Sequence, residues 1–130
     1  MRKREIRDGW VYRRGDIYMA DLNPFKGSEQ GGKRPVLVLQ NNDGNIYCPT
    51  LIVAPLTTQL KKLNQPTHYL IKHNYALAAP SVVMFEQIKT IDKCRIQSYL
   101  GHLTREQFSR IDDYLKTSLG MHIPEVVEAP

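Results

Sequence analysis

The stretch GSEQGGKRPVLVLQ, residues 27–40, sets a glycine-rich loop directly before a short, continuous aliphatic run. The run VLVL is partly β-branched and bounded by turn-forming residues, which predicts a strand buried on both faces. Pro35 suits the first position of such a strand, because it needs no ladder donor and biases Arg34 towards an extended backbone. Arg34 is therefore expected at the mouth of a buried strand.

The role of Arg34 is left open by this stretch alone. Gly31 and Gly32 allow the backbone to approach a ligand closely, and a guanidinium held beside them would grip a carboxylate or a phosphate. The alternative is a surface arginine that ends a hairpin loop. The rest of the chain has to separate the two.

Four more apolar runs end at turn-forming residues, which predicts five strands in all. These runs lie within residues 16–22, 49–58, 66–72 and 80–88. The pair Asp43-Gly44, after the VLVL run, predicts a tight turn. Short connections with no helix between the strands favour a small antiparallel barrel or a strongly curled sheet.

A helical period begins near the C-terminal end, after a short helical turn expected within residues 90–97. Thr104 and Gln107 fit a capping box, and Leu103 and Phe108 stand where a hydrophobic staple would. The apolar positions that continue the stripe are Ile111, Leu115 and Leu119. With a glycine following as the stop, residues 104–119 are predicted to form an amphipathic helix packed on the barrel.

The composition bounds the class of protein. A chain of 130 residues with 42% apolar content is sufficient for one globular domain that needs no disulfide or structural metal to be stable. No apolar run approaches the roughly 20 residues of a membrane span and no signal peptide is visible, so a cytoplasmic location without membrane contact is expected. Cys48 and Cys94 form no CxxC pair, and they are expected to be reduced and inert.

The net charge of +5 is concentrated at one end. Residues 1–14 hold six basic and two acidic residues, which leaves twelve basic and eleven acidic for the remainder. Residues 1–13 are interpreted as a basic extension that either attracts phosphate non-specifically or is simply solvated. Residues 14–120 then form the barrel domain, and residues 121–130 a flexible tail.

Several chemistries lack their motifs. The four histidines share no HExxH-type spacing and the carboxylates are scattered, so no metal site is expected. No G-x-S-x-G elbow is present, and the glycines of residues 27–32 precede a strand instead of opening a helix, which disfavours a nucleotide cofactor.

What remains is a set of polar and cationic residues where apolar strands begin or end. They are Ser28, Glu29, Gln30, Arg34, Thr57, Thr58, Glu86 and Gln87. Ordinary explanations stay open: the Thr57 hydroxyl would bond a neighbouring carbonyl, and Glu86 and Gln87 would form a solvated strand end. His68 is most simply an ordinary strand residue.

Four segments then show a resemblance by their order and spacing. They are RRGDIYMADLNPFKGSEQGGKRPVLVLQNNDGN (residues 13–45), PTLIVAPLTTQ (49–59), QPTHYLI (65–71) and SVVMFEQIKTIDKCRI (81–96). Together they resemble the MazF/PemK family of toxin endoribonucleases, and most closely the MazF (EndoA) toxins of Gram-positive bacteria. The similarity extends from residue 14 to about residue 119.

The resemblance implies a fold and a site. The fold would be mainly β, a small SH3-like antiparallel barrel of the CcdB/MazF/PemK type with a C-terminal amphipathic helix. Arg34 and Thr57 would be catalytic. The residues implied to bind RNA are Ser28, Glu29, Gln30, Gly31 and Gln87. Lys89 stands where close relatives often carry arginine, which would alter base preference.

The resemblance also implies the activity. The chain would be the toxin of a type II toxin–antitoxin system, a homodimer restrained by a MazE-like antitoxin with an acidic, disordered segment. It would cut single-stranded RNA at a specific sequence without metal or cofactor, leaving a 2′,3′-cyclic or 3′-phosphate and a 5′-hydroxyl. Arg34 would stabilise charge on the phosphate, Thr57 would assist it, and Glu29 is one candidate for the proton acceptor.

Two other functions compete with cleavage. A gyrase poison of the CcdB type shares the fold but acts through residues near its C-terminus, and the ending MHIPEVVEAP lacks that branch's tryptophan. An RNA-binding module that does not cut is the other. The recognition sequence, the proton acceptor, the biological trigger and the role of the basic extension are not fixed by the sequence.

Overall fold

A computed structural model describes residues 4–121, in which antiparallel strands dominate. The strands are β1 (Arg4–Glu5), β2 (Asp16–Asp21), β3 (Lys33–Val38), β4 (Thr50–Thr57), β5 (His68–Ile71), β6 (Ser81–Met84), β7 (Lys89–Asp92) and β8 (Ile96–His102). The helices are α1 (Asn42–Tyr47), α2 (Arg105–Phe108) and α3 (Ile111–Leu119), and two 3-10 turns span Phe85–Gln87 and Lys93–Arg95.

The strands form one curled sheet in the order β1-β8-β2-β3-β4-β6-β5. Strand β4 pairs with β3 along one edge and changes partner along the other, from β7 at residues 50–53 to β6 at Leu56 and Thr57. This change of partner wraps the sheet around its core. The predicted antiparallel, barrel-like sheet with a C-terminal helix is confirmed.

The VLVL run is buried on both faces, as its pattern predicts. Val36 and Val38 pack with Tyr18 in one apolar cluster, while Leu37 and Leu39 belong to a second cluster. None of these four aliphatic side chains is more than 6% exposed. Burying one such side chain stabilises the fold by about 1.5–3 kcal/mol, so β3 is a rigid support for Arg34. The strand begins at Lys33, so Arg34 is its second residue and Pro35 is its third, not its first as expected.

The expected tight turn at Asp43-Gly44 is wrong, because α1 occupies that segment. The side chain of Asn41 accepts a hydrogen bond from the Gly44 N–H at 2.8 Å and caps the helix. Buried Asn45 then donates to the Gln40 carbonyl at 3.0 Å. These side-chain bonds satisfy the backbone of one short helix and outweigh the turn preference of the Asp-Gly pair.

Strands β7 and β8 were not anticipated. The helical turn expected within residues 90–97 is reduced to the 3-10 turn Lys93–Arg95, which the Asp92 side chain caps through the Cys94 N–H at 2.8 Å. On either side, Ile91 and Ile96 are buried in the same apolar cluster. Core burial of these two side chains makes the flanking residues extended.

The predicted C-terminal helix begins as expected, with the Thr104 and Gln107 capping box, but it breaks into α2 and α3. Ser109 at the break donates its hydroxyl to the Glu106 carbonyl at 2.6 Å, a local bond that competes with the helix ladder. The apolar stripe also stops early, since Leu119 is 59% exposed.

Helix α3 fixes the 3-10 turn Phe85–Gln87. The Tyr114 ring stacks on the Phe85 ring at 5.4 Å between centroids, and the Ser118 hydroxyl donates to the Phe85 carbonyl at 2.7 Å. The backbone of Glu86 and Gln87 is therefore held against the core.

Part of the basic extension covers the sheet. Strand β1 pairs with β8, and the Trp10 indole N–H donates to the Tyr18 hydroxyl at 2.8 Å. That hydroxyl donates in turn to the buried Asp16 carboxylate at 2.7 Å. The domain boundary after residue 13 stays a prediction, and residues 122–130 of the predicted tail lie outside the described residues. No helix within residues 4–121 is long and apolar enough to cross a membrane.

Stability should depend on the ionisation of Asp16. Burial raises the pKa of Asp16 above 3.8, although hydrogen bonds from Tyr18 and Arg13 oppose the shift. The stability contributed by protonated Asp16 is therefore fully present below pH 3.8 and is lost as the pH rises through the folded pKa. We expect the unfolding free energy of the protein, minus that of Asp16→Asn, to fall in urea titrations as the pH rises above 3.8. A difference that stays constant or rises would contradict this.

Candidate active site

Arg34 and Thr57 meet where β3 begins and β4 ends. The register pairs Val36 with Pro55, and continuing it by two residues sets Arg34 opposite Thr57. The Arg34 guanidinium donates from Nε to the Gly31 carbonyl at 2.8 Å and from Nη1 to the Leu56 carbonyl at 3.4 Å. The two residues predicted to be catalytic are therefore neighbours, joined through the carbonyl that precedes Thr57.

The guanidinium of Arg34 is oriented and still has donors to offer. Its two bonds to backbone carbonyls use two of the five N–H donors of an arginine, which leaves three. Burial lowers the pKa of Arg34, but an arginine side chain keeps its proton in proteins. The group is thus a fixed cation with free donors, suited to an anionic ligand.

The Thr57 hydroxyl is also partly committed. Its oxygen accepts a hydrogen bond from the Gln59 N–H at 3.1 Å, a local turn of the kind expected for threonine after a strand. Because this bond uses only an acceptor site, the hydroxyl hydrogen remains able to donate. Thr57 faces a cavity of about 170 Å³.

This cavity is lined mostly by polar side chains from four segments. Three predicted site residues line it, namely Gln30, Thr57 and Gln87. Other polar residues that line it are Gln59, Lys61, Lys62, Gln65, His68 and Glu86. Such a polar cavity beside a fixed guanidinium can hold a charged, hydrogen-bonding ligand.

The glycine-rich loop lies next to this cavity. The Gln87 amide donates to the Ser28 carbonyl at 3.4 Å, and Gly31 supplies the carbonyl that orients Arg34. Glu29 is turned away, since its carboxylate accepts from the Lys26 N–H at 2.6 Å within the loop. The structure thus brings Ser28 and Gly31 to the site, whereas the Glu29 side chain faces its own loop. The RNA-binding roles of these residues stay predictions.

Two features of the cavity were missed from the sequence. His68 is a strand residue, as expected, but its Nε2 also lies 2.6 Å from Glu86 Oε2. Lys61 and Lys62 add positive charge to the same wall. The Lys-Lys pair was visible as a basic dipeptide in a polar loop, but no sequence pattern joins it to Thr57. Within residues 4–121, no group of three or more potential metal-ligating side chains occurs.

A close contact fixes the shape of the loop. A Cβ added at Gly31 would lie 1.8 Å from Cδ1 of Phe25, far inside van der Waals contact. Only a glycine therefore allows the Phe25 ring to lie on the loop backbone. Phe25 itself is 53% exposed, so the ring also presents a face to solvent.

The clash between a Gly31 side chain and the Phe25 ring is testable by a double-mutant cycle. Gly31→Ala should cost about 1–3 kcal/mol of unfolding free energy, because the ring must leave its position. In a Phe25→Ala background the same substitution should cost much less, since no ring remains to be displaced. Urea unfolding of the four proteins measures the coupling. Equal costs in both backgrounds would show that the contact does not constrain the loop.

Comparison with known proteins gives concordant matches along the sequence. A family profile described as "PemK-like, MazF-like toxin of type II toxin-antitoxin system" matches residues 13–119. The protein named Endoribonuclease MazF of Staphylococcus saprophyticus is 47% identical over 113 residues, which covers 86% of this chain and 94% of that protein.

Solved structures agree. A mycobacterial endoribonuclease in complex with its cognate antitoxin is 27% identical, with a TM-score of 0.68, over 88% of this chain and 98% of the other. MazF from Deinococcus radiodurans shares the fold with a TM-score of 0.75 at 24% identity, over 86% of this chain and 99% of the other. With a profile that spans most of the described residues and a relative of this identity, the chain belongs to the PemK-like, MazF-like toxin family of type II toxin–antitoxin systems.

Proposed function

We propose that this chain is the toxin of a type II toxin–antitoxin system and acts as a sequence-specific, metal-independent endoribonuclease on single-stranded RNA. The observation that carries the proposal is the junction of Arg34 and Thr57 at the ends of β3 and β4, through the Leu56 carbonyl at 3.4 Å from Nη1. The 47% identity to a protein named Endoribonuclease MazF supports the same activity.

The reaction needs no group beyond the RNA and the side chains. The 2′-hydroxyl of one nucleotide attacks the adjacent phosphorus, and the bond from phosphorus to the 5′-oxygen breaks. The products are a 2′,3′-cyclic phosphate, which can open to a 3′-phosphate, and a 5′-hydroxyl. Negative charge develops on the non-bridging oxygens, where the three free donors of Arg34 stabilise it.

Thr57 assists at the same phosphate. Its hydroxyl hydrogen is free to bond a non-bridging oxygen or to pass on a proton, while Gln59 holds its oxygen in place. Arg34 is a poor proton acceptor because it stays protonated. Glu29 is held towards its own loop by the bond from the Lys26 N–H, so a role as proton acceptor requires the loop to move on substrate binding.

The surroundings suit single-stranded RNA. Lys61 and Lys62 on the cavity wall attract phosphates, and the exposed ring of Phe25 offers a stacking surface for a base. Gln30 and Gln87 supply amides that hydrogen-bond base edges. The loop that borders this cavity is formed in part by Ser28, Glu29 and Gly31.

The partners follow from the family and from one solved relative. The protein acts in the cytoplasm as a homodimer and is restrained by a MazE-like antitoxin. The mycobacterial relative was solved in complex with its cognate antitoxin. An acidic, disordered segment of such a partner would compete with RNA for Arg34 and the lysines of the cavity. Gyrase poisoning is not favoured, because both the family profile and the curated relative are of the MazF type.

In the decisive experiment, the protein is incubated with a long, weakly structured RNA in excess EDTA, and every new 5′ end is mapped. The protein should give discrete cuts at one short motif with 5′-hydroxyl ends. Arg34→Ala should lower the cleavage rate about 100-fold or more, because the charge-stabilising donors are lost. Arg105→Ala, a loss of an exposed arginine elsewhere, is the matched control and should cut normally.

Two further measurements decide between functions. Arg34→Ala should keep its melting temperature within a few degrees, since only a half-buried site residue changes, and should bind antitoxin through the remaining lysine contacts. Cleavage by Arg34→Ala at the normal rate would refute the site. No cleavage of diverse RNAs by the unmodified protein would refute the activity, and a supercoiling assay would then test gyrase poisoning.

A further inference from the structure

Glu86 and His68 form a linked pair on the wall of the cavity that Thr57 faces. His68 Nε2 lies 2.6 Å from Glu86 Oε2, and the two side chains are 9% and 32% exposed. His68 begins β5 and is paired with Met84 of β6, two residues before Glu86. The sheet register therefore builds the pair, which is called the Glu86–His68 pair below.

Hydrogen bonds hold the His68 ring at both nitrogens. Its Nδ1 lies 3.1 Å from the Lys62 carbonyl oxygen, which can only accept, and its Nε2 faces a carboxylate. Nδ1 therefore donates to that carbonyl, and Nε2 shares a hydrogen bond with the Glu86 carboxyl group. Lys62 adopts a left-handed backbone with φ of 54° and also accepts from the Gln65 N–H at 3.0 Å. The His68 ring is thus fixed at both of its nitrogens.

The remaining capacity of Glu86 is limited. Its Oε2 accepts from His68 and, at 3.4 Å, from the Gln65 amide, while Oε1 accepts from the Thr67 hydroxyl at 3.3 Å. An ionised carboxylate oxygen has two acceptor sites, so one site on Oε1 is left. This single free site accepts a hydrogen bond and cannot donate one.

A carboxylate repels the phosphates of RNA. We therefore consider a contact between Glu86 and an RNA base in the cavity. The exocyclic amino group of adenine or cytosine supplies one donor, and the ring nitrogen beside it accepts from an amide such as those of Gln87 and Gln30 in the same cavity. Uracil has one donor, N3–H, but it lies between two carbonyl oxygens, which a carboxylate repels. Guanine presents two adjacent donors, which a carboxylate with one free acceptor site does not match.

We propose that the Glu86–His68 pair is a specificity element, which selects adenine or cytosine against uracil and guanine at one position next to the cut. The proposal rests on the endoribonuclease activity proposed above. The hydrogen bond to His68 keeps Glu86 in place, and helix α3 anchors the turn through the Ser118 bond to Phe85. Because the pair is held by these contacts before RNA binds, selection costs little ordering of side chains.

The test sequences the cleavage products of a random RNA pool. The unmodified protein should show one position at which adenine or cytosine is cut about tenfold or more faster than uracil. Glu86→Gln places an amide there, which can donate to a carbonyl, so that position should lose its selectivity and admit uracil. Glu106→Gln removes an exposed carboxylate on α2 and should leave the motif unchanged.

His68 separates selectivity from a merely structural role. His68→Gln keeps a donor towards Glu86 and should retain the base preference, whereas His68→Ala should lose it. Glu86→Gln could instead lower the cleavage rate equally at all sequences and leave the base preference unchanged. That result would overturn the proposal and indicate a structural or proton-transfer role. A motif in which every position next to the cut prefers uracil or guanine would overturn it as well.

The outcome is distinct from that of the main proposal. If the unmodified protein cuts no RNA, the activity itself fails. If it cuts at a defined motif that Glu86→Gln leaves intact, the activity stands and only the selectivity role fails. Melting temperatures of the Glu86 and His68 variants confirm that each protein is folded.

Discussion

The pairing of β3 with β4 is the interaction on which the site depends. Both faces of β3 are buried, so a slip of its register by one residue would move each aliphatic side chain into the opposite cluster. The same register aligns Arg34 with Thr57. The precision of the site is thus a by-product of core packing, and it needs no direct bond between the two side chains.

A second support acts from the other side of the cavity. Glu86 and Gln87 belong to a 3-10 turn, which is weak when isolated because its hydrogen-bond geometry is poor. Here the turn is fastened by Phe85, which is buried and contacts α3 by ring stacking and by a backbone bond. The C-terminal helix therefore contributes to the chemistry of a cavity that its own residues do not line.

The sequence is informative where one physical signal dominates. The continuous apolar run and the capping box at Thr104 predict β3, the barrel-like sheet and the start of the last helix. The prolines mark the strand starts only to within two residues, since β3 begins at Lys33 and β5 at His68. The sequence fails where side-chain bonds override local preference, as Asn41 and Ser109 do at α1 and at the break after α2. The position of His68 beside Glu86 depends on long-range strand register, which no local pattern encodes.

Strand β1 has a consequence for solubility. It is only two residues long, yet it is the end strand of the sheet and pairs with β8. Without it, β8 would be the edge strand and would expose unpaired backbone groups. Open edges invite pairing with other chains, and short, charged end strands such as Arg4 and Glu5 discourage it. The basic extension thus also covers the edge of the sheet. Shortening it would leave β8 as an open edge strand that can pair with other chains and aggregate.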